Sequence, residues 1–81
     1  MAPVSEQIIV IADVIERYLL DHPRAADTVE GIRAWWVARH RQGDSRAAVQ
    51  EALDHLVDAG RMYRTVLPDG TAIYARAGPA K

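Results

Sequence analysis

Ser45-Arg46-Ala47-Ala48-Val49-Gln50-Glu51-Ala52-Leu53-Asp54-His55-Leu56-Val57-Asp58-Ala59-Gly60-Arg61-Met62-Tyr63-Arg64 contains the change of period that decides the fold. Val49, Ala52, Leu53, Leu56 and Ala59 recur at helical spacing and form one apolar stripe. Asp44 or Ser45 stands where a helix cap is needed, and Gly60 follows the last periodic residue as a C′ glycine should. The opposite face holds Ala47, Gln50, Glu51, Asp54 and Asp58. From Arg61 the period becomes two. Arg61 to Leu67 and Thr71 to Arg76 read as strands, and Pro68-Asp69-Gly70 between them reads as a tight hairpin turn.

Two more helices precede this unit. From about Ser5 to His22, the residues Ile8, Ile11, Ala12, Ile15, Tyr18 and Leu19 fall on one face. Ser5 can cap that helix, and Pro23 stops it because proline excludes the preceding residue from the α region. Pro23-Arg24-Ala25-Ala26 reads as a loop. Asp27 with Glu30 three residues on resembles a capping box, so a second helix is expected from near Thr28 to about His40. Val29, Ile32, Trp35 and Trp36 supply its inner face. Successive residues diverge by about 100° on a helix, so one of the two tryptophans must sit at the edge of the core. Gly31 lowers helix propensity by roughly 1 kcal/mol relative to Ala, which suggests the close passage of another backbone.

The 81 residues suit one domain over 1–81, with an ordered core of about 5–76 and flexible tails such as Gly78-Pro79-Ala80-Lys81. With 49% apolar and 26% charged residues, the composition is that of a globular domain, not a disordered or collagenous chain. The absence of Cys removes disulfides, thiolate metal sites and thiol nucleophiles. Met1 to Glu6 lack the basic region of a secretory signal, and Ile8 to Ala12 is too short to cross a bilayer. A cytoplasmic location is expected.

Three helices followed by a β-hairpin resemble the winged helix-turn-helix superfamily, and the stretch Ser45 to Arg64 resembles its recognition helix and first wing strand. The resemblance extends over roughly Ser5 to Arg76. The expected fold is therefore mainly α with a C-terminal β-hairpin, a three-helix winged helix-turn-helix of α+β type. In that superfamily the third helix commonly enters the DNA major groove. The resemblance places Ser45, Arg46 and Gln50 toward double-stranded DNA, Arg39 and Arg41 beside the phosphates, and Arg64 and Arg76 on the wing. The implied function is that of a DNA-binding transcriptional regulator or an accessory to one.

Charge by segment supports this in part. The net charge is −1, distributed as −3 over residues 1–22, +2 over 23–46, −3 over 47–60 and +3 over 61–81. Basic groups thus collect before the third helix and in the wing, where such folds meet phosphate. Glu51, Asp54 and Asp58 oppose close approach of DNA. They leave open a second reading, a protein–protein interaction module that does not touch DNA. Ile9, Val10, Val14 and Leu20 lie outside the main stripe of the first helix and are candidates for a partner or homodimer surface. Enzyme readings find no support. His22, His40 and His55 lack metal-ligand spacing, and no nucleophile-elbow or glycine-rich phosphate motif occurs. No cofactor, metal or membrane partner is expected.

Overall fold

The computed structural model describes residues 5–38 and 43–77. Arg39 and Arg41, the end of the second helix near His40 and the two tails lie outside the described residues. The first helix, α1, spans Glu6–Asp21. The Ser5 hydroxyl accepts the Ile8 amide at 3.3 Å, meeting one of the orphan donors of the first turn. His22 closes the helix at φ −134° and ψ 68°, where the following proline requires it to leave the α region. Ile8, Ile11, Ala12, Ile15 and Leu19 are buried, and Tyr18 is half-buried at the edge.

The expected loop after Pro23 contains a strand. Ala26–Asp27, β1, pairs antiparallel with the last strand of the chain, Ala26 opposite Ala75 and Asp27 opposite Tyr74. Two residues are too few to show a period, and their partner lies far along the chain. Helix α2 begins at Val29 and runs to Gly31. Its cap is Thr28, not Asp27: Thr28 Oγ1 accepts the Gly31 amide at 3.1 Å, while Asp27 Oδ1 accepts the Thr28 amide at 2.8 Å. The neighbour of Gly31 is also a side chain rather than a backbone, since a Cβ there would collide with the Asp27 carboxylate.

The helix then widens into a π-helix over Ile32–Val37, where the Ala38 amide donates back five residues to the Arg33 carbonyl. This widening moves the inner face by one position. After Ile32 the buried residues are Trp36 and Val37, four and five residues on, instead of Trp35 and Trp36. Trp35 is consequently 69% exposed, against 2% for Trp36. The Trp36 ring stacks on Tyr18 of α1 with centroids 4.5 Å apart.

Helix α3 spans Arg46–Asp58 and is capped by Ser45, whose hydroxyl accepts the Ala48 amide at 3.1 Å. Asp44, the other candidate cap, is instead buried in the turn before it. There its carboxylate receives Gln7 Nε2 at 3.4 Å, and its carbonyl receives Arg33 Nε at 2.8 Å. Ala48, Val49, Ala52, Leu53 and Leu56 form the buried stripe. Ala59, expected in that stripe, is the exposed C-cap residue beyond the last full turn. Gly60 adopts φ +76°, and the amides of Gly60 and Arg61 return to the carbonyls of Val57 and Leu56 at 3.0 and 2.9 Å. This is a Schellman closure.

Strands β2, Met62–Val66, and β3, Ala72–Arg76, form the hairpin, with Arg64 opposite Tyr74. At its tip the Gly70 amide donates to the Leu67 carbonyl at 2.9 Å, and Leu67 donates to Thr71 at 2.8 Å. Gly70, at φ +90°, supplies the left-handed residue that lets a three-residue loop rejoin the strands. The sheet order is β1-β3-β2. Met62 and Tyr74 bring its inner face into the core shared by the helices. The result is a winged helix-turn-helix whose wing hairpin is joined by a short third strand. Among the described residues no helix is long and apolar enough to cross a membrane.

Candidate nucleic-acid interface

Helix α3 turns its apolar stripe inward and leaves Arg46, Ala47, Glu51, Asp54 and Asp58 exposed, with Gln50 half-buried. The hairpin runs back along this helix from its C-terminal end, and a chain of polar contacts joins the two. Gln50 Nε2 donates to the Tyr74 hydroxyl at 2.8 Å and to Asp54 Oδ1 at 3.1 Å. Arg64 Nη1 stands 3.9 Å from the same Asp54 oxygen. Tyr74 is 1% exposed, so its side chain lies in the core. A buried tyrosine needs a partner for that hydroxyl, and Gln50 provides it.

Two of the basic side chains expected at DNA, Arg46 and Arg64, face carboxylates. Arg46 Nε meets Glu30 Oε2 at 2.5 Å, joining the start of α3 to α2. That hydrogen bond is the main reason the Glu30 carboxyl titrates below its ordinary value. Both groups are more than half exposed, so the pair is screened and exchangeable. At the wing tip the Thr71 amide donates to Asp69 Oδ1 at 2.9 Å and holds that carboxyl low as well.

Ser45, Arg46, Gln50 and Arg64 are thus gathered along α3 and the inner side of β2. Arg76 is not with them. It lies opposite Met62, level with the C-terminal end of α3. There it lines a cleft of about 480 Å³ with Asp13, Glu16, Arg17, Leu20 and Arg61. Arg61 is paired with Glu16 at 2.7 Å and Arg17 with Asp13 at 3.2 Å. Among the described residues Arg76 makes no ion pair. Ile9, Val10, Val14 and Leu20 of α1 do not form one patch either. Ile9 and Leu20 flank the core on the side of that cleft, whereas Val10 and Val14 continue the row of Tyr18 on the other side.

The contacts of three participants escaped the sequence reading. Glu30, Asp54 and Tyr74 organise the cations and the amide of this surface. Glu30 is 16 residues from Arg46 and Tyr74 is 24 from Gln50, so no local pattern announces either contact. Among the described residues no three His, Cys, Asp or Glu side chains come together as metal ligands would.

No family model and no curated protein matches this chain. Its fold is similar to that of the Vibrio cholerae ferric uptake regulator, whose crystal structure reveals a structural rearrangement of that protein's DNA-binding domains. The TM-score is 0.68 at 15% identity. The match covers 98% of this chain and 56% of that one, so the chain spans little more than half the length of the regulator. At that identity the likeness is one of fold.

Proposed function

We propose that this chain is a small DNA-binding module of a transcriptional regulator, or of an accessory to one, and that it presents α3 to the major groove. The observation that carries the reading is the placement of Arg46 and Arg64 along an exposed helix flanked by a hairpin. The fold likeness to a regulator with DNA-binding domains supports it. In this reading Arg46 exchanges Glu30 for a phosphate, and Arg64 exchanges the looser contact with Asp54. Arg39 and Arg41, a few residues before α3 in the sequence, add charge. Ser45 keeps its cap, whose role in the free protein is structural.

Four phosphate contacts imply a slope of log affinity against log salt of about −3.6, or roughly a 150-fold loss between 50 and 200 mM. Amide chemical shifts titrated with a generic duplex at low salt test the reading. Shifts concentrated along Ser45 to Asp54 and Met62 to Tyr74, fading with salt, are expected. No shifts at low salt would overturn it.

A second reading has its own observation. Leu20 is 75% exposed beside Arg76 and its cleft, an apolar residue ringed by arginines as at many protein contacts. Under that reading the chain is an adaptor or assembly subunit. Shifts confined to Asp13–Leu20 and Arg76 on adding a protein partner would support it.

A further inference from the structure

We infer that Glu51 is the base-reading residue of α3 and that it selects a cytosine. This inference rests on the DNA-binding reading above. The first turn and a half of the helix offers four outward positions, Arg46, Ala47, Gln50 and Glu51, at spacing i, i+1, i+4 and i+5. Two of these are engaged within the protein. The Arg46 guanidinium holds Glu30, a partner that the reading above exchanges for a phosphate. Gln50 uses both hydrogens of its amide, one on Tyr74 and one on Asp54. A glutamine that reads adenine must donate and accept together. Gln50 could do so only by abandoning the hydroxyl of a buried tyrosine. Asp54, one turn further on, already accepts from Gln50.

Ala47, whose methyl offers no hydrogen bond to a base edge, and Glu51 remain. Glu51 is exposed, and among the described residues its side chain makes no hydrogen bond or ion pair. A carboxylate only accepts hydrogen bonds. In the major groove guanine presents acceptors at N7 and O6 and thymine an acceptor at O4, and both repel it. Adenine offers a donor at N6 beside the acceptor at N7. Cytosine offers the N4 amino group as its hydrogen-bonding edge, and it is the base that suits Glu51 best. The same charge repels the phosphates. Removing it should therefore strengthen binding to DNA in general while erasing the preference, a combination that a merely structural role would not produce.

The test is selection from randomised duplexes with the wild-type chain and with Glu51→Ala. Titrations of the selected duplex, and of one with the cytosine–guanine pair reversed, follow. The wild type should enrich a fixed cytosine and prefer its own duplex by about tenfold or more. E51A should bind both duplexes alike, and the reversed one more tightly than the wild type does. Circular dichroism should show E51A folded, since the site is exposed and Ala favours a helix. An unchanged cytosine preference in E51A overturns the inference. So does salt-dependent binding by the wild type that enriches no cytosine, and that outcome leaves the DNA reading intact. Failure of the wild type to bind any duplex at low salt overturns the DNA reading and the inference with it.

Discussion

Replacing Gly31 by Ala should destabilise this protein, against the ordinary rule for a helical glycine. Gly31 has φ −66° and ψ −43°, so a side chain meets no backbone strain there. Propensity alone would make Ala better by about 1 kcal/mol. The new Cβ, however, would occupy the space of the Asp27 carboxylate. That carboxylate must rotate away and release the Thr28 amide, which it accepts at 2.8 Å. A hydrogen bond to a charged acceptor contributes about 2 kcal/mol. The net effect of G31A is therefore a loss of about 1 kcal/mol, taking that bond against the propensity gain. D27A alone should lose about 2 kcal/mol through the same bond. With the carboxylate gone, the added methyl should restore about 1 kcal/mol of propensity. Urea and thermal melts followed by circular dichroism on the four proteins of this cycle provide the check. Each kcal/mol corresponds to a shift of roughly 4–8 °C for a domain of this size. A stabilising G31A, or an equal effect with and without Asp27, would refute the clash with the carboxylate.

Other consequences are as direct. Gly60→Ala should lose about 1–2 kcal/mol through its left-handed backbone alone, because nothing lies within 4 Å of the added Cβ; a lower urea midpoint at unchanged slope is expected. Tyr74→Phe removes the hydroxyl that receives Gln50 Nε2 at 2.8 Å and should lose about 1 kcal/mol in the same melts. Asp69 titrates below its ordinary value of 3.8 because the folded turn supplies a donor to its charged form. Its contribution is thus present above that value and is lost as pH falls through the lower folded value. Thermal midpoints of D69N should fall less steeply than those of the wild type below about pH 4. Arg46→Ala should leave the melts almost unchanged, since its ion pair is exposed, but should reduce the salt slope of duplex binding by about 0.9.

The order of the three helices and the hairpin, the inner face of α1, most of that of α3, the Ser5 cap, the Gly60 closure and the hairpin turn are legible in the sequence. Each depends on residues within a few positions of one another: an apolar period, a cap hydroxyl and its amide, a glycine at a left-handed bend. What the sequence left open or misplaced depends on separations it does not display. Strand β1 exists only because β3 is beside it, and Asp27 acts within that junction rather than as a cap. The burial of Trp36 and Val37 with Trp35 left outside follows from a widened turn that packs Trp36 on Tyr18, whereas propensity describes only an α-helix. At the candidate interface the sequence shows which arginines and carboxylates are present. Only the folded chain pairs Arg46 with Glu30, carries Arg64 to Asp54, engages Gln50 through Tyr74 and sends Arg76 to the far end of the sheet. Backbone period and capping are short-range and therefore written along the chain. Charge pairing across elements is set by three-dimensional proximity, which tertiary packing alone supplies.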